Sequence, residues 1–260
     1  MKTKVFLRAA CLAVTGALVA CGPGGGGSDG ADVLTVVEMT DPAYPAISDR
    51  GATGGPSGVT MILLQNGAAQ PVTVGDFDQS TGVISSSQLA GLDLDNAEFQ
   101  NPADAEFSRI ARVSGTDSFF GAVGFGTAAA DRPEAGSVTA YVDGWAGLTA
   151  TTDAGTYTLT GDATFTADWG SGRLRGDFTN LDGTVSDAAG IDAAAANVGT
   201  IRLSSSVITG SAFAGGIVTG TGLFSGLDGN SSTVGTSGNF FGPQADELGG
   251  LLVIDDPEVA

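Results

Sequence analysis

Thr156-Tyr157-Thr158-Leu159-Thr160-Gly161-Asp162-Ala163-Thr164-Phe165-Thr166-Ala167-Asp168-Trp169 alternates without a fault. Tyr157, Leu159, Gly161, Ala163, Phe165, Ala167 and Trp169 share one face of an extended chain, and the threonines and aspartates share the other. A period of two is the repeat of a half-buried β-strand, whose side chains point to opposite faces in turn. At about 3.3 Å per residue the stretch spans about 45 Å, longer than the strands of most sandwiches. Long, tilted strands with small residues on the inner face belong to a closed barrel.

Outward from that stretch the same texture continues. Gly170-Ser171-Gly172 marks a tight turn, Arg173 to Leu181 returns with Leu174, Gly176 and Phe178 facing inward, and Asp182-Gly183 reads as the turn that ends it. Further strands are expected near Phe107–Val113, Ser118–Thr127, Ser137–Trp145, Val198–Leu203, Val207–Phe213, Val218–Phe224, Thr236–Phe241 and Leu251–Ile254. Counted from Ser118, this makes eight or nine strands in a meander. Glycine pairs such as Gly215-Gly216 suit strand bends. Residues 32–115 differ, with short candidates at Val33–Met39, Val59–Leu64, Val72–Val74 and Val83–Ser85 between polar or Pro/Gly segments. They read as a smaller β subdomain ahead of a barrel over residues 116–260. No window shows sustained helical spacing, so the chain is expected to be all-β.

Composition removes most chemistry. The 260 residues contain no histidine, two cysteines and 42 glycines. Imidazole triads are excluded, and the absence of lysine after Lys4 excludes Schiff-base and Ser-Lys catalysis. None of the 29 acidic residues lies in the first twenty positions, whereas only seven basic residues lie beyond them, which leaves −22 on residues 21–260. Such a surface repels phosphate backbones, so no nucleic-acid partner is expected. Carboxylate pairs remain, at Asp93/Asp95, Asp162/Asp168 and Asp255/Asp256. Asp162 and Asp168 sit on the polar face of a strand, and Asp93-Leu94-Asp95 lacks the glycine and distal glutamate of a calcium loop. The Gly-Gly-x-Gly-x-Asp calcium array is also absent. No catalytic residue, metal site or cofactor is expected. Trp145 and Trp169 read as barrel core or rim, and Phe119-Phe120 and Phe240-Phe241 place one ring on each face of a strand.

The N-terminus carries an address. Lys2, Lys4 and Arg8 precede an apolar run, Ala9 to Ala20, too short to span a bilayer. Leu18-Val19-Ala20-Cys21 resembles the lipobox of bacterial lipoproteins, which implies that residues 1–20 are a lipoprotein signal peptide and that Cys21 becomes the lipidated first residue. Residues 21–31, with Gly22-Pro23-Gly24-Gly25-Gly26-Gly27-Ser28-Asp29-Gly30, form a glycine-rich tether. Cys11 leaves with the peptide, so no thiol remains for a disulfide or a nucleophile.

Near the C-terminus, Asn239-Phe240-Phe241-Gly242-Pro243-Gln244-Ala245-Asp246-Glu247-Leu248-Gly249-Gly250 resembles the signature that ends the β-barrel domain of transferrin-binding protein B and its smaller relatives, the transferrin-binding-protein-like surface lipoproteins. Gly242-Pro243 would end a strand, Gln244 to Leu248 would make one helical turn, and Gly249-Gly250 would kink into the last strand. Phe125-Gly126-Thr127, Asp131-Arg132-Pro133, the Tyr157–Trp169 strand and Ser211-Ala212-Phe213-Ala214-Gly215 follow in family-like order. The resemblance implies a closed, lipocalin-like, eight-stranded antiparallel meander barrel preceded by a handle-like β subdomain. It also implies a lipid anchor at the outer membrane of a Gram-negative bacterium, display at the cell surface, and binding of a solute or protein without catalysis. The two-lobed family members hold two handle–barrel units, whereas about 240 mature residues hold one, so no binding residue is carried over and the ligand-binding positions stay unknown. A membrane-embedded eight-stranded barrel and a structural or adhesive surface protein are the alternatives.

Overall fold

A computed structural model describes the backbone at residues 6–8, 56–57, 60–65, 68–73, 76–78, 83–85, 94–100, 105–115, 118–152, 154–227 and 234–254, and side chains at 105–108, 122, 124–152, 154–227 and 236–252. The strands are β1 Phe6–Arg8, β2 Pro56–Ser57, β3 Thr60–Gln65, β4 Ala68–Thr73, β5 Asp76–Asp78, β6 Val83–Ser85, β7 Leu94–Gln100, β8 Ser108–Gly115 and β9 Ser118–Phe125. They continue with β10 Val138–Thr152, β11 Gly155–Asp168, β12 Arg173–Ser186, β13 Asp192–Ala195, β14 Ile201–Thr209, β15 Ala212–Ala214, β16 Ile217–Gly220, β17 Val234–Phe241 and β18 Glu247–Ile254. The only helical turn among the described residues is a 3-10 turn at Gly222–Phe224. The candidate strand Val33–Met39 lies outside the described residues.

One ten-stranded antiparallel sheet runs β13-β12-β11-β10-β1-β18-β17-β15-β14-β16, and an added β12–β14 pairing curls it into a nearly closed barrel. β13 and β14 pair in succession along one edge of β12, and β15 and β16 along one edge of β14, so each couple is a single strand broken by a bend. Residues 138–254 therefore supply seven of the eight ring positions. The eighth is β1, which pairs with Thr149–Thr151 of β10 and Ile254 of β18 and lies within the segment that reads as signal peptide. β9, counted with the barrel on sequence grounds, instead pairs with β8 and β3 in a six-stranded sheet ordered β4-β3-β9-β8-β7, with β2 also on β9.

The inner face of β11 is the one its alternation predicts, with Leu159, Ala163 and Ala167 buried and the intervening threonines mostly exposed. Two neighbours depart from their sequence reading because bulges reverse their parity. In β10 the register slips between Tyr141 and Gly144, with Asp143 at φ 59°, Ala146, Leu148 and Ala150 then take the inner side, and the strand runs to Thr152, seven residues past the predicted end at Trp145. In β12, Asn180 at φ 52° forms the bulge opposite Gly161, and Leu181 follows as the next inward residue. Asp182-Gly183 is therefore no turn but part of β12, which runs to Ser186. A third bulge, with Ser205 at φ 60°, lets Ile201 to Thr209 form one strand where two were expected. Each bulge adds local twist, which bends a flat sheet toward closure.

Two apolar clusters fill the barrel. Leu148, Leu159, Leu181, Ile201, Leu203, Val218 and Phe224 form one, and Ala167, Leu174, Phe213, Phe240 and Ala245 form the other. In the second, Phe240 is fully buried with ring centroids 4.7 Å from Trp169, 5.6 Å from Phe213 and 6.1 Å from Tyr141. Gly250 allows the close packing here, because a Cβ there would lie 2.6 Å from the Ser237 carbonyl oxygen and 2.9 Å from the Phe213 ring.

Candidate functional site

The C-terminal motif builds the junction between the two sheets. Phe241, on the face opposite Phe240, is also fully buried and forms an antiparallel bridge with Gly126. The Gly242 amide donates to the Phe125 carbonyl at 2.8 Å, the Thr127 amide to the Phe240 carbonyl at 3.0 Å, and Thr127 Oγ1 to the Gly242 carbonyl at 2.8 Å. Ser211 Oγ donates to the Thr127 carbonyl. Residues 242–245 are a turn with Gln244 at φ 65° and Ala245 at φ 58°, so the expected helical turn is replaced by two left-handed residues. Glu247 then opens β18 and its carboxylate receives three donors: the Glu106 amide at 2.5 Å and the Phe107 amide at 3.0 Å on Oε1, and Ser108 Oγ at 2.6 Å on Oε2. One carboxylate thus ties the start of β8 to the barrel. Gly249-Gly250 does not precede the last strand but lies within it.

Beside this junction the barrel wall has a window. β10 and β18 are neighbours around the ring, yet no ladder joins 140–148 to 247–252 among the described residues. β1 closes one end of the gap, and the Tyr141 hydroxyl, donating to the Ala245 carbonyl at 2.8 Å, closes the other. Burial raises the Tyr141 hydroxyl pKa well above its ordinary value, and the Asp246 carboxylate adds to the rise. Asp246 is itself raised, first by desolvation and then by Glu247 and Glu106.

Behind the window a cavity of about 410 Å³ enters the barrel. Small residues line it: Ala140, Gly144 and Ala146 on β10, Ala163 on β11, and Gly249 and Gly250 on β18. Phe165, Phe178, Leu203 and Phe213 line its depth, and Trp145 stands on the β10 side. Asp143, Asp246 and Glu247 are its charged lining residues, and no arginine lines it among the described residues.

The residues considered on sequence grounds are not brought together. Asp162 accepts from Asn180 Nδ2 at 2.6 Å, and Asp168 accepts the Gly170 and Ser171 amides at 2.9 and 3.0 Å; both lie on the outer side of β11, six residues apart. Asp168 is held below the usual carboxylate range chiefly by its bond from the Ser171 amide. They form no dyad. Asp93, Asp255, Asp256 and the lipobox residues Leu18, Val19, Ala20 and Cys21 lie outside the described residues, and the side chains of Asp95, Phe119 and Phe120 are likewise outside them. Trp169 belongs to the aromatic cluster and donates from Nε1 to Thr139 Oγ1 at 3.0 Å. Among the described residues no group of three or more acidic or cysteine side chains is placed to hold a metal ion. Tyr141, Thr236 and Glu247 were not singled out from the sequence; the last stands within the quoted motif, but its contacts are 139 to 141 residues away.

A nearly closed meander barrel, locked to a handle-like sheet by the turn before its last strand, defines a single handle-and-barrel lobe. A family model described as the C-lobe and N-lobe beta barrels of Tf-binding protein B matches residues 115–258, and the chain belongs to that family. Among solved structures, intact Ap-TbpB with its N and C lobes is 19% identical over 75% of this chain and 42% of that one, with a TM-score of 0.44. Transferrin binding protein B of Haemophilus parasuis Hp5, a vaccine antigen solved as a double mutant, is 17% identical over 75% of this chain and 41% of its own, with a TM-score of 0.43. The chain thus spans about four-tenths of either structure. No curated protein matches it.

Proposed function

We propose that the chain is exported, cut before Cys21 and lipid-anchored there at the outer membrane of a Gram-negative bacterium, and that it holds a solute or protein partner at the cell surface without turning it over. The observation that carries this reading is the family match over residues 115–258. Leu18-Val19-Ala20-Cys21 and the glycine-rich stretch after it support the anchor. Removal of residues 1–20 takes β1 with it and leaves seven ring strands, with β10 and β18 as the two edges of the seam.

The outer face of the barrel argues for a domain standing in water. Thr156, Thr158, Thr160, Asp162 and Thr164 on β11 are exposed while Leu159 and Ala163 are buried, the reverse of a barrel whose apolar side faces lipid. The absence of histidine and the separation of Asp162 from Asp168 support a binding role over a catalytic one. A charge of −22 on residues 21–260 favours a partner with cationic patches, so binding should weaken as salt screens it.

Mass spectrometry of the detergent-phase protein should show an acylated Cys21 peptide, and an unmodified N-terminus elsewhere would remove the anchor. Protease shaving of intact cells, followed by pull-down at low and high salt with transferrin among the baits, tests display and capture. Full protection in uncapsulated cells would remove the surface role.

A further inference from the structure

The cavity behind the β10–β18 window contains a group that asks for a partner. Thr236 lines it on β17, is 6% exposed, and its Oγ1 has no hydrogen-bond partner among the described residues. A buried hydroxyl left without a partner costs about 1–3 kcal/mol, and valine would fill the same volume without that cost. The wall around it is otherwise apolar, with Leu203, Phe213 and Leu252 among its lining residues. Thr236 pairs with Leu252 in the β17–β18 ladder, whereas Glu247, which opens β18, and Asp246 just before it lie at the opposite end of the lining stretch. Five residue steps of β18 separate Glu247 from Leu252, about 17 Å along an extended strand. The cavity is therefore a slot with its acidic residues beside the Tyr141–Ala245 contact and the Thr236 hydroxyl at the other end.

We infer that this slot binds an elongated, largely apolar small molecule that has a hydrogen-bonding group at the Thr236 end and a neutral or cationic group at the acidic end. The volume falls in the range of small-molecule sites. The acidic end cannot favour an anion, because Asp143, Asp246 and Glu247 are the charged lining residues and burial, then Glu247 and Glu106, already raise the Asp246 pKa. A fatty-acid carboxylate would add a further like charge there, whereas an amine would relieve the repulsion and a hydroxyl would be tolerated. At the other end Thr236 Oγ1 can donate to or accept from the ligand, which removes its desolvation cost on binding. The inference rests on the binding role proposed above and names the ligand class for it.

The test uses the chain with matched twelve-carbon probes that displace the neutral dye N-phenyl-1-naphthylamine. Dodecylammonium and 1-dodecanol should displace the dye, and dodecanoate should need at least about ten times the concentration. 1,12-Dodecanediol, which carries a hydroxyl at each end, should bind about three- to tenfold tighter than 1-dodecanol. T236V should abolish that difference while its urea midpoint stays equal or rises, the opposite of what loss of a merely structural hydroxyl bond would give. A163F, which puts a ring into the slot, should prevent displacement by every probe. Where that variant fails to fold, A146L serves the same purpose from β10. Equal binding of dodecanoate, a diol advantage kept in T236V, or probe binding unaffected by filling the slot would overturn the inference. Protein capture by cells displaying A163F would leave the surface-binding role standing and separate the two readings, whereas loss of shaving and capture with the slot still loading would remove only the former.

Discussion

Glu247 holds the start of β8 through three donors, and removing its carboxylate tests whether that contact is what ties the handle to the barrel. In E247A the Glu106 and Phe107 amides and the Ser108 hydroxyl lose their acceptor together. A hydrogen bond to a charged acceptor is worth about 1.5–3 kcal/mol net. The site is only partly buried, so water replaces part of what is lost and the total comes to about 2–4 kcal/mol rather than the sum of three bonds. With about 1.4 kcal/mol per factor of ten, hydrogen exchange at the Glu106 and Phe107 amides should accelerate roughly 30- to 1000-fold where exchange reports local opening. Amides of β11, ladder-bonded to β10 and β12, should change far less. E247Q retains one oxygen for the two amides and should accelerate exchange less than about tenfold. The reading fails if E247A leaves protection at both amides unchanged while the barrel stays folded, because the two amides would then owe their protection to something other than this carboxylate.

Three further outcomes follow from named groups. Tyr141 has a raised pKa in the folded state, so its contribution is fully present below the ordinary value near 10 and is lost as pH climbs toward the folded value; urea titrations at pH 9 and pH 11 should show a steeper alkaline loss for the native chain than for Y141F. With no lysine after Lys4, few other groups titrate in that window. Asp246 is likewise raised, which for an acid means stability present at low pH and lost as pH rises through the folded value, so D246N should be more stable than the native chain at pH 7 and lose that advantage near pH 3. G250A puts a methyl 2.6 Å from the Ser237 carbonyl oxygen and 2.9 Å from the Phe213 ring and should lower the unfolding free energy by about 1–3 kcal/mol, read from the urea midpoint; an unchanged midpoint would show that β18 can shift to admit it.

Period-two alternation is a local property, and the sequence determined whatever depends on it: the all-β class, the whole inner face of β11, and Leu174, Gly176 and Phe178 on β12. The inventory of residue types likewise determined which chemistries are absent, since no fold can supply an imidazole the chain lacks. Tertiary structure decided the rest, because the deciding contacts join residues far apart in the chain. The bulges at Asp143, Asn180 and Ser205 reverse parity where closure demands extra twist, and each hid part of a strand from a reading based on strict alternation. Gly183 reads as a turn by itself and is strand only because β12 continues beside β11. β9 reads as the first barrel strand until its partners are known to be β8 and β3. The cavity was the least legible feature. It is lined by Ala140, Gly144 and Ala146 and by Gly249 and Gly250 about a hundred residues later, and whether small side chains leave a space or let the strands close up is settled only when both walls are in place.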